Sequence, residues 1–531
     1  MPTFVGMTVW RSPGNRRLRL SANRLPGVSL CAPRFELCVE KAVAKAQTGA
    51  AIDPMPAGST PPMDFDLAVI GAGAAGLSVA AGAAQLGARV ALIERGRMGG
   101  DCLNTGCVPS KALLAAAHAA RTVRAASRFG VIANPPAIDW ARIRAGVHEV
   151  IADIAPVDSE ERFRALGATV LRGEARFLGP ATLSVEGRSL TASRFVIAAG
   201  SRAAVPPIPG LDQVPHWTND SLFDLAEKPD HLLILGGGPI GLEMADAFSG
   251  LGCRVTVIEA DRIAAKDDPE LAAGLRLALA RRGVVLREGV AVQSVVPGPG
   301  LLLSGGERIE GSHLLVAAGR TPNLAALNLA AANIAVTRAG IATDRGLRSV
   351  SNKRVFAVGD IADPAGIGPR AFTHVGSYHA GIVIRRALFR LPASVDYAAL
   401  PRVTYTVPEL AQTGLTEQEA LAAGMRVQVL RWPLAENDRA VAERDTAGLV
   451  KLVVSRNRVV GAGILAPHAG EMISLWSQAI ISRTKLSVLA GLIVPYPTRS
   501  EAARRAAGSF FAARLFSART KALVRFLRLL P

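Results

Sequence analysis

Two cysteines stand five positions apart in the stretch GGDCLNTGCVPSK, residues 99–111, with glycines around them and Lys111 close behind. Cys102 and Cys107 could serve as a metal site, a structural staple or a redox couple. Structural zinc is usually held by two close pairs of ligands. No second Cys or Cys/His pair accompanies this one, so no metal is expected. A staple that closes so short a loop gains little. A redox couple remains. Five residues of regular helix would set the two Cα atoms roughly 8–9 Å apart, beyond disulfide reach. Gly106 and Pro109 are therefore expected to distort the turn. A helix N-terminus and Lys111 would both lower a thiol pKa.

Such a couple needs an electron source, and the elements around it suggest one. In DFDLAVIGAGAAGLSVAAGAAQLGARVALIER an apolar strand, Leu67–Ile70, runs into Gly71, Gly73 and Gly76. An Ala-rich helix follows, then a second strand, Val90–Ile93, ending at Glu94. This is the pattern of a dinucleotide-binding βαβ unit. The first glycine permits the tight turn, the second lets the backbone approach a pyrophosphate, and the third lets helix and strand pack closely. The helix N-terminus faces the phosphates, and an acid about 20 residues on can bond a ribose hydroxyl. The pattern recurs in HLLILGGGPIGLEMADAFSGLGCRVTVIEA, with strand Leu232–Leu235, glycines Gly236, Gly238 and Gly241, and strand Val255–Ile258 ending at Glu259. Two sites imply two nucleotides, a flavin and a nicotinamide. Glu259 would repel a 2′-phosphate and so favours NADH over NADPH, with Arg262 nearby softening the contrast. The strands of 195–210 and of LLVAAGRTPN, with Gly319, end in glycine turns at the edges of these units. VFAVGDIAD ends at Gly359 and Asp360, where a carboxylate can bond a ribityl or ribose hydroxyl.

With 531 residues the chain has room for three domains. Its five cysteines, Cys31, Cys38, Cys102, Cys107 and Cys253, are too few for a disulfide scaffold. A reducing, cytoplasmic setting follows. No apolar run reaches the roughly 18 residues of a membrane-spanning helix. Of the net charge of +18, residues 1–62 carry +5 and residues 499–531 carry +7. A balance confined to the ends is not a nucleic-acid footprint. Residues 1–62 have no sustained period. They read as a disordered or non-native extension, either a transit peptide or untranslated sequence ahead of a start at Met63. From about residue 395, alternating strands and helices indicate a separate α+β domain.

On GGDCLNTGCVPSK and the two glycine-rich units, the chain resembles the class I pyridine nucleotide–disulfide oxidoreductases, the group of dihydrolipoamide dehydrogenase, glutathione reductase and mercuric reductase. The resemblance spans about residues 63–508. It implies two Rossmann-like dinucleotide-binding domains and a C-terminal α+β dimerisation domain. The expected layout is FAD on 63–210 and 331–394, the nicotinamide nucleotide on 211–330, an interface domain at 395–508 and a tail at 509–531. It further implies that NADH reduces FAD and that FAD reduces a Cys102–Cys107 disulfide. Cys107 would lie against the flavin and Cys102 would exchange with a small disulfide or related acceptor. Lys111 and Glu243 would pair at the flavin edge, and Gly359 and Asp360 would hold FAD. A homodimer is implied, because each site borrows the partner's C-terminal segment. That segment normally reads His-Pro-Thr-x-x-Glu, the His acting as acid–base. Here it is Tyr496-Pro497-Thr498-Arg499-Ser500-Glu501. A phenol with a pKa near 10 is a poor base at neutral pH. PRVTYTVPEL and AENDRA resemble the mercuric reductase branch, but that branch's C-terminal cysteine pair is absent, since no cysteine follows Cys253.

His374 and His379 are expected on the helix after the FAD-binding strand, in packing or cofactor-edge roles. His468 and Cys253 are expected to be structural. The tail places Lys521, Arg525 and Arg528 on one stripe of an apolar segment. This suits an extra helix packed on the dimer or a peripheral contact with anionic lipid. The alternative function is a flavoprotein docked to a membrane or partner, passing electrons to a quinone or protein.

Overall fold

The computed structural model describes residues 63–530. Cys31, Cys38 and the rest of the N-terminal extension lie outside the described residues. Strands that are apolar on both faces need cover on both sides. β1 (Phe65–Ile70) and β2 (Val90–Glu94) are such strands, buried over most of their length. Helix α1 (Ala74–Gln85) connects them and buries Ala75, Gly76, Ala80 and Ala83. Two consecutive helices follow, α2 (Gly100–Asn104) and α3 (Cys107–Ala125). Next come β3 (Ala168–Arg172), β4 (Ala175–Gly179), β5 (Thr182–Val185) and β6 (Arg188–Ile197). The parallel strands lie in the order β3-β2-β1-β6, and β4 and β5 extend antiparallel from the first half of β6.

The second sheet contains β7 (His231–Leu235), β8 (Arg254–Glu259), β9 (Val284–Glu288) and β10 (His313–Val316). All are parallel, in the order β9-β8-β7-β10, with α4 (Pro239–Gly250) between β7 and β8. The chain then returns to the first sheet. β11 (Val355–Ala357) adds parallel to β6, and α5 (Thr373–Ala387) packs on α1. The packing is tight: a Cβ on Gly376 would lie 3.0 Å from the Ala75 Cβ.

The third sheet is antiparallel. It is formed by β12 (Arg402–Thr404), β13 (Glu409–Gly414), β14 (Gln428–Pro433), β15 (Leu449–Ser455) and β16 (Arg458–Ala466), in the order β12-β13-β16-β15-β14. Helices α6 (Ala469–Ile481) and α7 (Ser500–Leu515) cover it around the fully buried Trp476. The chain closes with α8 (Ala518–Leu527). The fold is therefore α/β, with two Rossmann-like domains and a C-terminal α+β domain. Among the described residues no helix is long and apolar enough to cross a membrane.

Candidate active site

Cys102 lies in α2, and Cys107 is the first residue of the 19-residue α3. The chain folds back between them at Gly106, which has φ −126° and ψ −113°. A Cβ there would sit 2.9 Å from the Asp101 carbonyl oxygen and 3.3 Å from the Cys102 Cα. Glycine thus permits the close approach that brings the two thiols into hydrogen-bond contact. Pro109 plays a different part from the one expected. It is the third residue of α3, where an N–H would lack a helical partner anyway. The helical run breaks over Thr105 and Gly106, ahead of Pro109.

Both cysteines are thiols, Cys102 partly buried and Cys107 exposed. Cys107 is lowered to about 6, chiefly by the hydrogen bond from Cys102. Thr373 and Lys111 act the same way, against burial and the Glu243 charge. Cys102 is pushed well above the usual thiol range by that same hydrogen bond, by burial and by charge on Cys107. The two shifts run in opposite directions, favouring charge on Cys107 and the proton on Cys102. A thiolate at a helix N-terminus is further favoured by the helix dipole.

Thr373 opens α5 and places its Oγ1 3.4 Å from the Cys107 Sγ, while also bonding Cys102. It lies 266 positions from Cys107, and no local motif marks it. A hydrogen bond to a charged group is worth about 1.5–3 kcal/mol. Thr373→Val should therefore move the midpoint of Cys107 ionisation upward by about one pH unit. Absorbance titration of the long-wavelength thiolate–flavin band in the reduced holoenzyme checks this. A midpoint left in place would show that the hydroxyl does not tune the thiolate.

Behind the thiols, Lys111 Nζ lies 2.7 Å from Glu243 Oε2, and the glutamate is buried. The other Glu243 oxygen accepts from the Tyr405 backbone N–H at 3.0 Å. The Tyr405 ring lies 4.5 Å beneath the ammonium. The pair expected from the sequence is thus present, and the C-terminal domain of the same chain completes its surroundings through Tyr405.

The two glycine-rich loops have matching geometry. Gly71 has φ +102° and Gly236 φ +116°; a Cβ on either would come within 2.5 Å of a carbonyl oxygen, Ala198 or Ala317. Cβ atoms on Gly76 and Gly241 would lie 1.8 and 2.0 Å from the carbonyls of Gly71 and Gly236. The middle glycines differ. A Cβ on Gly73 would meet only Gly100 Cα, at 3.8 Å, and one on Gly238 would meet nothing within 4 Å. Packing requires the first and third glycines; the second keeps space clear at an uncapped helix N-terminus. Both loops therefore fit a dinucleotide pyrophosphate. Glu94 accepts from the N–H groups of Ala72 and Gly96, both at 2.6 Å. Glu259 accepts from Gly237 at 2.7 Å and Asp261 at 3.0 Å. Each carboxylate steadies its loop at the expected ribose end.

Gly359 has φ +70°, and its N–H donates to His379 Nδ1 at 3.0 Å. Burial holds His379 down to about 4, so the ring is neutral and can accept. Asp360 accepts from Ser201 Oγ at 2.6 Å, and burial raises its pKa. Gly319 has φ +130°, and its carbonyl accepts from Ala204 N at 2.9 Å. The adjacent Arg320 donates to Asp101 and Ser201. Arg320 stands in AAGRTPN, where no local pattern marks the contacts that the fold gives it. His374 is exposed and bonds the Pro401 carbonyl at 3.0 Å. His468 precedes α6 in the left-handed region, and Cys253 is buried as expected.

Residues 65–387 match the family of the pyridine nucleotide-disulphide oxidoreductases, and residues 400–507 match its dimerisation domain. The chain belongs to this family. It is 36% identical to a mercuric reductase of Streptomyces lividans over 465 residues, covering 84% of this chain and 96% of that one. It is 33% identical to a dihydrolipoyl dehydrogenase of Geobacillus stearothermophilus, with the same shares covered. The HOCl-induced flavoprotein disulfide reductase RclA from Escherichia coli superposes with a TM-score of 0.73 at 29% identity, over 82% of this chain and 98% of that one. The protein is an FAD-dependent oxidoreductase that uses NAD(P)H, and its third domain is the dimerisation domain of this oxidoreductase family.

Tyr496 and Glu501 share no hydrogen bond with the thiol site of their own chain, among the described residues. Tyr496 is 69% exposed and donates to Asp438 Oδ2 at 3.0 Å, which raises the phenol pKa. Glu501 is buried at the start of α7 and ion-pairs with Arg505 at 2.9 Å and Arg504 at 3.3 Å. The glutamate without its family histidine has taken two arginines instead.

Proposed function

We propose that this enzyme transfers electrons from NADH, by way of FAD, to the Cys102–Cys107 pair and on to a small disulfide. The observation that carries the reading is the meeting of the two thiols across the Gly106 break, with the Lys111–Glu243 pair behind them. FAD, when bound, supplies the two-electron relay between the nicotinamide and the cysteines. Its pyrophosphate would rest on Gly71, Gly73 and Gly76, with Glu94, Gly359 and Asp360 at its hydroxyls. The nicotinamide nucleotide would take Gly236, Gly238, Gly241 and Glu259, with Gly319 at the domain edge. The layout is FAD on 63–210 and 331–394, nucleotide on 211–330 and dimer contacts on 395–508. In a cytoplasmic homodimer, Tyr496 and Glu501 would complete the partner's site.

In the half that oxidises the enzyme, the Cys102 sulfur attacks one sulfur of the acceptor and breaks its S–S bond, and the Cys102 proton leaves on the released sulfur as the first product thiol. The Cys107 thiolate then attacks the Cys102 sulfur, releases the second product and restores the Cys102–Cys107 disulfide. Of the two protons on the product thiols, one comes from Cys102 and one from solvent.

The purified holoenzyme should be yellow, and it should oxidise NADH faster than NADPH because Glu259 faces the ribose end. In a screen against glutathione disulfide, lipoamide, mercuric ion and quinones, small disulfides other than lipoamide should turn over best. Mercuric ion should be a poor substrate, since no cysteine follows Cys253. A colourless protein that takes up no FAD, an NADPH preference, or quinone turnover unaffected by loss of the thiols would overturn the reading.

A further inference from the structure

The end of the chain carries a surface that neither the thiol site nor the nucleotide sites use. No residue of α8 is buried. Leu523, Val524, Phe526 and Leu527 are each at least half exposed, as are Leu529 and Leu530 just beyond. A single exposed leucine is ordinary, but a contiguous apolar patch marks a contact surface. At roughly 100° per residue, Leu523, Phe526 and Leu527 fall within an arc of about 100°, and Leu530 follows just past the helix. Lys521, Arg525 and Arg528 fall on the opposite side, within about 60°. Arg519 stands at the head of the apolar arc, where its long side chain can reach back to water. Glu501 is the last acidic residue of the chain, so nothing in residues 502–531 offsets this charge.

Among the described residues, none covers the patch. The match to the dimerisation domain ends at residue 507, ahead of α8. The matched dimerisation domain thus does not include the tail. An apolar arc beside an unopposed basic stripe is complementary to one kind of surface, an anionic lipid headgroup layer with acyl chains beneath it. We propose that α8 and residues 528–530 form a peripheral anchor. It lies in the headgroup region of an anionic bilayer, with Leu523, Phe526, Leu527 and Leu530 inserted and Lys521, Arg525 and Arg528 on lipid phosphates. It holds a reductase with no membrane-spanning helix among its described residues at a membrane face.

The test is cosedimentation of the holoenzyme with phosphatidylcholine vesicles, with and without about one third phosphatidylserine. Binding should require the anionic lipid and weaken when salt rises from about 0.1 M to about 0.5 M. The triple variant Lys521→Gln/Arg525→Gln/Arg528→Gln should bind about 30–100-fold more weakly. Leu523→Ser/Phe526→Ser/Leu527→Ser should also detach, while both variants keep NADH oxidation and the dimer. Wild-type protein that stays in the supernatant with anionic vesicles would overturn the proposal. So would binding that survives both triple variants. Vesicle-free variants that fall apart into monomers would instead assign the helix to a second copy. NADH oxidation is read separately, so failure here leaves the disulfide reductase reading intact.

Discussion

Cys102→Ser should lower disulfide turnover by about 10³-fold or more, because a serine cannot form the mixed disulfide with the acceptor. The yellow holoenzyme should still form. With Cys107 left as the only sulfur of the pair, reduced Cys102→Ser should retain a long-wavelength thiolate–flavin absorbance. Its ionisation should shift upward, since the largest cause of the low Cys107 value is the hydrogen bond from Cys102. Cys107→Ser should lose both the band and the turnover. The two variants separate the roles by spectrum as well as by rate. Full turnover in Cys102→Ser would remove it from the exchange step. A band that persists in Cys107→Ser would place the charged sulfur at the other position.

Tyr496→His should raise lipoamide turnover by a substantial part of the 10²–10⁴-fold that a general acid–base typically supplies (about two to four orders of magnitude). The wild-type phenol is held by Asp438, and that carboxylate makes it still harder to ionise. It can donate a proton to a departing thiolate, but at neutral pH it cannot collect one from Cys102. An imidazole at position 496 would add a titration near neutrality to the pH profile measured over about pH 6–9. The gain should fall short of a full restoration, because Glu501 already pairs with Arg504 and Arg505 and is not free to orient the ring. Adding Arg505→Gln to Tyr496→His should release more of it. Tyr496→Phe reports on the phenol as a donor to the natural substrate. Wild-type lipoamide turnover at the level of a working dehydrogenase, unchanged in Tyr496→Phe, would mean that the proton leaves Cys102 by another route.

Much of this site is written in short stretches of chain, because local backbone demands leave local marks. A turn with φ near +100° accepts glycine and little else, so Gly71 and Gly236 identify both nucleotide loops. The apolar runs of β1, β2, β7 and β8 specify strands covered on both faces, and with them the α/β class. The spacing of Cys102 and Cys107 pointed to redox chemistry, and Gly106 to the break that lets the thiols meet. The tail's basic stripe was equally legible.

Contacts between distant segments leave no such mark. Thr373 touches both thiols only because β11 returns to the first sheet and aims the start of α5 at them. Tyr405 lies under Lys111 through the packing of the C-terminal domain, and Arg320 reaches Asp101 from 219 positions along the chain. That Glu501 lacks a histidine is legible in the sequence, but its arginines at i+3 and i+4 read only as part of a basic end. The same holds for charge. Sequence supplies the two thiols, yet which one keeps the proton depends on burial and on neighbours that arrive only with the fold. A pKa responds to everything within a few ångströms in space, and spatial neighbours drawn from β11, α5 and the C-terminal domain are joined by packing, not by position along the chain.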